Sequence, residues 1–162
     1  MMKLKKLLLV LVMLLAPLSV GAQEHCYPFF TELGAPYGGT FQADCNICET
    51  YVTEFEGRVR ANCQISYQNY SAIPELVANG GFSLELDMSY YLTYGTAKFT
   101  FDGGPVHFSY RNENYEVFFN EMFFNISISP IEYTITDVGG GLTVNGQYVP
   151  ATPELFDLLL SL

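Results

Sequence analysis

The chain has 162 residues, of which 17 are acidic and seven are basic, and its formal net charge is −10. A surface this acidic repels phosphate groups, so the composition excludes binding of DNA or RNA through a basic patch. The 13 Phe and 12 Tyr residues supply enough apolar area for a packed core, which excludes intrinsic disorder.

The first 22 residues predict a secretory signal peptide. Three lysines precede an apolar run over residues 7–16, and small residues at 20–22 predict cleavage before Gln23. The run is about half the roughly 20 residues that a membrane-spanning helix needs, so we expect no transmembrane anchor after cleavage. Residues 23–162 are then predicted to form a single secreted or periplasmic domain with four basic and 17 acidic residues, a net charge of −13.

The segment 23–48 is interrupted by Pro and Gly and predicts an irregular start to the mature chain. Four cysteines lie in the first third of that chain: Cys26, Cys45, Cys48 and Cys63. An even number of cysteines behind a signal peptide predicts two structural disulfides, and three pairings remain open.

Two other cysteine chemistries are disfavoured. Cys45 and Cys48 have the spacing of a redox dithiol, but a strand-like segment that starts with Glu49 follows them instead of a helix. We therefore expect these two to bond to different partners. Because Cys26 and Cys63 stand alone in the sequence, no zinc site is expected, and no motif indicates a cofactor.

Residues 49–150 predict antiparallel strands. The candidates 49–56 and 58–68 meet at a glycine and predict a hairpin, and a polar link over 69–81 has room for one helical turn. The clearest pattern is the alternation of apolar and polar residues over 82–90, which predicts one buried and one solvated face.

Glycine-containing segments predict the later turns, at 94–95, 102–104 and 137–141. The two glycine-rich segments 102–104 and 137–141 also contain an aspartate, but they lack the ligand density of a calcium loop. Asn145-Gly146 between two apolar runs predicts a tight hairpin.

The segment 115–126 has two interpretations. Its apolar residues fall at helical spacing behind Asn114, which could cap a helix. The same residues also fit two strands, 115–119 and 122–129, with a turn at 120–121. The aromatic and β-branched content favours the strands.

Residues 152–161 predict a C-terminal helix, with Thr152 as the cap, Pro153 in the first turn and an apolar stripe behind them. A helix this short needs a docking surface, and the protein's own sheet is the expected one. The predicted fold is therefore mainly β, an antiparallel sandwich or barrel with a disulfide-bonded N-terminal segment and a short C-terminal helix.

Few residues suggest chemistry. His107 and Ser109 would share one face of a strand, but no nucleophile motif or third orienting group accompanies them. Glu85 and Asp87 are explained by a solvated strand face. Asn69 and Asn125 begin glycosylation sequons, which matter only in a host that modifies them.

Three functions follow, in decreasing order of support. The first is a non-catalytic binding module for a small apolar ligand or a partner protein. The second is a structural or surface-assembly protein that adds to its neighbours through edge strands. The third is a secreted hydrolase that uses His107. An enclosed apolar cavity would favour a small ligand, and a filled core with a free edge strand would favour assembly.

Overall fold

The computed structural model describes residues 24–53 and 55–161, and the predicted signal peptide lies outside them. Its strands, in chain order, are β1 (Glu24–Gly34), β2 (Thr40–Thr53), β3 (Glu56–Tyr70), β4 (Leu76–Tyr91), β5 (Tyr94–Tyr110), β6 (Glu113–Ile128), β7 (Tyr133–Val144) and β8 (Gln147–Pro150). They are followed by one helix, α1 (Pro153–Ser161).

Each strand pairs antiparallel with the next one, which gives a single eight-stranded meander. Within the described residues β1 and β8 do not pair with each other, so the sheet is open. The mainly-β antiparallel prediction is confirmed, including the disulfide-bonded N-terminal segment and the short C-terminal helix. The hairpin at Asn145-Gly146 is also present, with φ of 49° and 81°.

The prediction that 23–48 is irregular is wrong. β1 pairs with β2 along its whole length, from Glu24 opposite Thr50 to Gly34 opposite Thr40. Prolines and glycines were misleading here because Pro28 lies in an edge strand, where proline is tolerated, and Gly34 is the last residue of β1. Pro36, Gly38 and Gly39 occupy the turn over 35–39. The link over 69–81 is likewise shorter than predicted, since β4 already begins at Leu76 and the residues before it form a turn without a helix.

Three predicted turns are wrong, because the chain passes through them without reversing. The segments 102–104, 120–121 and 137–141 are bulges inside β5, β6 and β7. Positive φ at Gly103, Glu121 and Gly140 marks them. They are neighbours across the sheet, and the Asp102 carboxylate accepts a hydrogen bond from the backbone N–H of Glu121 at 3.1 Å. The turn predicted at 94–95 lies two residues earlier, at 92–93.

The strand interpretation of 115–126 is confirmed, and the bulge explains its helix-like spacing. Phe119 and Met122 are three residues apart, yet both are buried on the same face. The extra residue at the bulge shifts the alternation by one, so apolar positions on the two sides combine into a pattern with a period of three to four. β5 shows the same shift between Phe101 and Val106.

The inner face of the sheet carries two core clusters. The first is aromatic and joins β5, β6, β7 and α1; it includes Phe99, Phe101, Phe119, Met122, Phe124 and Phe156. The second joins β2 and β3 and has smaller members: Ala43, Cys45, Ile47, Val59, Ala61 and Ile65. The alternating residues of β4, from Phe82 to Met88, contact both clusters, as the pattern over 82–90 predicted.

α1 docks on the sheet as predicted. The ring of Phe156 is buried, with its centroid 4.7 Å from that of Phe124 and 5.5 Å from that of Phe99. The helix begins where the hydroxyl of Thr152 accepts a hydrogen bond from the backbone N–H of Leu155 at 3.3 Å, the geometry of an N-cap.

Candidate binding edge

β1 forms a free edge of the sheet. Its eleven residues pair with β2 on one side, and no strand of the described chain pairs with the other side. An unpaired edge presents a row of N–H and C=O groups that can accept a further strand. Pro28 lies in the middle of β1 and Phe30, on its outer face, is 61% exposed.

A disulfide fixes β1 to its neighbour. Cys26 and Cys48 are directly opposite each other and are bonded, and Cys45 is bonded to its opposite residue on β3, Cys63. Cys45 and Cys48 therefore have different partners, as predicted. On the chain-entropy model each cross-link stabilises the fold by about 3 kcal/mol. The two disulfides therefore join β1 to β2 and β2 to β3, and they lie on opposite faces of the sheet.

A buried carboxylate makes a second connection between β1 and β2. Glu49 is only 7% exposed, and its Oε1 accepts a hydrogen bond from the Tyr27 hydroxyl at 2.5 Å. Its Oε2 accepts one from the Tyr51 hydroxyl. A buried carboxylate is tolerated only when its oxygens are satisfied in this way.

The phenols of this cluster are held in their protonated form. Burial, then the hydrogen bond to Glu49 and its negative charge, raise the pKa of Tyr27 to about 12. The same causes raise the pKa of Tyr51. Both hydroxyls therefore remain donors through the physiological pH range, and the inner side of β1 stays attached to β2.

Sequence reasoning missed this cluster, although a clue was present. Cys45, Ile47, Glu49 and Tyr51 share one phase of the alternation in β2, so an acid lies on the apolar face. An acidic residue among buried positions of a strand indicates a carboxylate whose oxygens accept hydrogen bonds. The donor on the neighbouring strand, Tyr27, can be identified only once the pairing of β1 with β2 is known.

The structure does not bring His107 and Ser109 together as a nucleophile and base. The Ser109 hydroxyl donates to Asn114 Oδ1 at 2.7 Å, whereas His107 Nδ1 lies 3.8 Å from a Glu116 carboxylate oxygen. The imidazole and this carboxylate are both about half exposed, and His107 and Ser109 border an open depression of about 190 Å³.

The remaining sequence candidates lie apart from the edge. Asn69 is exposed at the end of β3, and Asn125 is half-buried on the outer face, where its amide donates to Asp137 at 3.4 Å. Glycosylation at either one remains a prediction. Asp87 forms an ion pair with Arg58 on the outer face.

No protein-family model, curated protein or solved structure matches this chain. None of the helices in the described part of the chain is long and apolar enough to cross a membrane. The two intramolecular disulfides favour an extracellular or other oxidising compartment.

Proposed function

We propose that the protein is a non-catalytic, extracytoplasmic binding protein whose partner is a polypeptide that adds an extended strand to the outer edge of β1. The observation that carries the proposal is an eleven-residue strand that is covalently fixed on one side and that no described strand pairs with on the other. Main-chain hydrogen bonds along such an edge supply affinity, and the exposed side chains supply specificity.

The cross-link and the Glu49 cluster support this function because they order β1 in advance. A loose edge strand would lose conformational entropy when a partner binds, and that loss reduces affinity. Here the Cys26–Cys48 bond and the hydrogen bond from Tyr27 to Glu49 hold the edge in the extended conformation. A partner then has to order only its own strand.

The filled inner face favours a polypeptide over a small apolar ligand. The rings of Phe82 and Phe119 lie 4.7 Å apart, and Phe124 and Phe156 are equally close. Met122 and Phe124 are fully buried. Side chains therefore occupy the space that a ligand inside the sheet would need. A structural or assembly role is the case in which the partner is a second copy.

Site-specific photocross-linking tests the proposal. The photoreactive residue p-benzoylphenylalanine replaces Phe30, or in a matched control Tyr148 on β8, which is exposed to the same extent at 60%. Each protein is secreted by its own organism and irradiated there. We expect a discrete polypeptide adduct from position 30 and none from position 148, and mass spectrometry shows whether the adduct is a second copy.

A backbone variant separates strand addition from side-chain contact. A proline in an edge strand occupies a position whose N–H would face away from the neighbouring strand, and Glu32 has the same parity as Pro28. Glu32→Pro should therefore remove one outward N–H and lower the adduct yield about fivefold, whereas Glu32→Ala should leave the yield unchanged. Equal yields from Glu32→Pro and Glu32→Ala, or no adduct at position 30, would contradict the proposal.

A further inference from the structure

One end of the sheet carries a concentration of exposed apolar side chains. The β2–β3, β4–β5 and β6–β7 turns lie at this end because the strands alternate in direction. We call it the apolar end and define it by seven residues with exposed fractions between 40% and 92%: Val52, Phe55, Tyr91, Leu92, Tyr94, Ile131 and Tyr133. Isolated exposed apolar residues are ordinary, but a concentration of them at one end of the sheet indicates an interaction surface.

The register orders these residues by depth. Tyr91 and Tyr94 are paired with each other at the ends of β4 and β5, and Tyr133 begins β7. Phe55, Leu92 and Ile131 lie beyond them, outside the strands. A backbone hydrogen bond of 2.6 Å from Leu92 N–H to the Phe55 carbonyl joins two of the turns. Each of the three turns thus places one large apolar side chain beyond the strand ends, beside polar neighbours such as Thr93 and Glu132, and the tyrosines lie one step behind them.

Leu92 provides an independent indication. Its φ is +55°, a conformation that favours Gly or Asn and is costly for other residues. The other non-glycine residues with positive φ in the described chain are Asn, Glu or Arg. An exposed leucine in a strained turn position, where asparagine would be more stable, indicates that its apolar side chain serves a purpose other than folding.

This arrangement suits a lipid surface better than a peptide. The side chains come from three separate turns, whereas a peptide binds along a groove or a free strand edge. The depressions of about 760 and 190 Å³ border residues at the opposite end. Tyrosine rings prefer the headgroup level of a bilayer, and aliphatic or Phe side chains enter the layer beneath it. Phe55, Leu92 and Ile131 lie beyond the strand ends and the tyrosines lie one step closer to the sheet, which matches that order.

The charges select the kind of lipid. Glu56 and Glu132 adjoin the seven residues of the apolar end, and none of the four basic residues in the described part of the chain is among the seven. The basic residue nearest to Phe55 in the sequence, Arg58, is paired with Asp87. Three of those four lie in ion pairs elsewhere, and Lys98 lies over the ring of Phe123. An anionic membrane would repel this surface. We propose that the apolar end docks on a neutral, zwitterionic bilayer, with Phe55, Leu92 and Ile131 entering it; this goes beyond the proposed edge binding and does not depend on it.

Co-sedimentation with phosphatidylcholine vesicles tests this docking, with secreted protein of defined N-terminus. The test variant Phe55→Ser/Leu92→Asn removes two outermost side chains, and the asparagine suits the φ of position 92. The matched control Tyr37→Ser/Ile73→Ser removes two exposed apolar residues from the opposite end. Thermal unfolding of all three proteins shows whether the variants remain folded.

We expect wild-type protein to bind the vesicles, the test variant to bind at least about tenfold more weakly, and the control to bind within about twofold of wild type. Phosphatidylserine in the vesicles should weaken binding, and added salt should reverse part of that effect. Absence of wild-type binding, or equal losses in the test and control variants, would overturn the proposal. If vesicles are not bound but a photocross-linker at position 55 captures a protein, the end contacts a protein partner instead.

Discussion

The two halves of the sheet are stabilised in different ways. In the N-terminal half, β2 and β3 contribute small buried residues such as Ala43, Ala61 and Val59, and two disulfides join the first three strands. In the C-terminal half, no cysteine is present, and phenylalanine rings from β5, β6 and α1 pack against one another. Cross-links therefore stabilise the part with the smaller core, and apolar burial stabilises the part with the larger one.

Deleting a central ring should produce the largest difference between the halves. Phe124 has no exposed surface, and Phe124→Ala should lower the free energy of unfolding by about 3–5 kcal/mol. The matched change Val59→Ala in the N-terminal half should cost about 2 kcal/mol, because fewer buried carbons are lost. Urea unfolding measures both variants, and equal losses would contradict the distinction between the two cores.

Removing a disulfide should affect the N-terminal half by a slightly smaller amount. Cys45→Ala/Cys63→Ala opens a link with a sequence separation of 18 residues and should lower the free energy of unfolding by about 3 kcal/mol. A variant that lacks all four cysteines is the control, since a reducing agent should destabilise the wild type but not this variant. A loss below about 0.5 kcal/mol on reduction of the wild type would show that burial alone holds β1 to β3.

Glu49→Gln probes the polar connection between β1 and β2. Both phenols lose a charged acceptor, and one of them then faces the amide NH₂, which is a donor, so the free energy of unfolding at neutral pH should fall by about 1–2 kcal/mol. Glu85→Gln on the exposed outer face is the control and should change it by less than about 0.5 kcal/mol. Similar effects of the two substitutions would show that the Glu49 cluster adds nothing to the fold.

The same cluster predicts a loss of stability at alkaline pH. The folded-state pKa of Tyr27 is raised from 10.0 to about 12, so its contribution is complete below pH 10 and is lost as the pH rises through 12. Tyr27→Phe should remove the part of the pH dependence of stability that comes from ionisation of this phenol. Glu49→Gln should remove only a part, because burial is the largest cause of the shift. Urea unfolding midpoints between pH 9 and about pH 12 measure this dependence in the wild type and in the two variants. Identical pH profiles for the three proteins would contradict the role given to Tyr27.

The smallest expected effect is at the start of α1. The Leu155 N–H donates both to the Thr152 hydroxyl at 3.3 Å and to the Thr152 carbonyl at 3.1 Å. Thr152→Ala removes only the hydroxyl acceptor and should lower the free energy of unfolding by about 0.5 kcal/mol, whereas Thr152→Ser should retain most of it. Near-UV circular dichroism of the buried aromatic rings would show whether α1 remains docked. Equal stability of the alanine and serine variants would mean that Phe156 alone positions the helix.

Much of the fold could be predicted where a single rule applied. The alternation over 82–90 predicted the inner face of β4 because the segment pairs regularly with β3 throughout and with β5 from Ser83 onward. The Asn145-Gly146 hairpin was predictable because that turn requires positive φ at both residues.

Other features depend on contacts between strands that are distant in sequence. A glycine with positive φ suits a reversing turn and a bulge equally, so residues 102–104 could not be distinguished from a turn without their partners on β6. The edge character of β1 was hidden for a related reason, since whether Pro28 interrupts a strand depends on which side of it is paired. The apolar end was not predicted because its members belong to three different turns.

The aligned bulges determine how such long strands fit into a small protein. Fully extended, the 17 residues of β5 would span roughly 56 Å, whereas a compact domain of about 140 residues, close to the length that the structure describes, has a radius of gyration of about 14 Å. Because the irregularities of β5, β6 and β7 adjoin, the three strands can bend along one common line. Such a bend would let each long strand cover two parts of the inner face without an intervening loop.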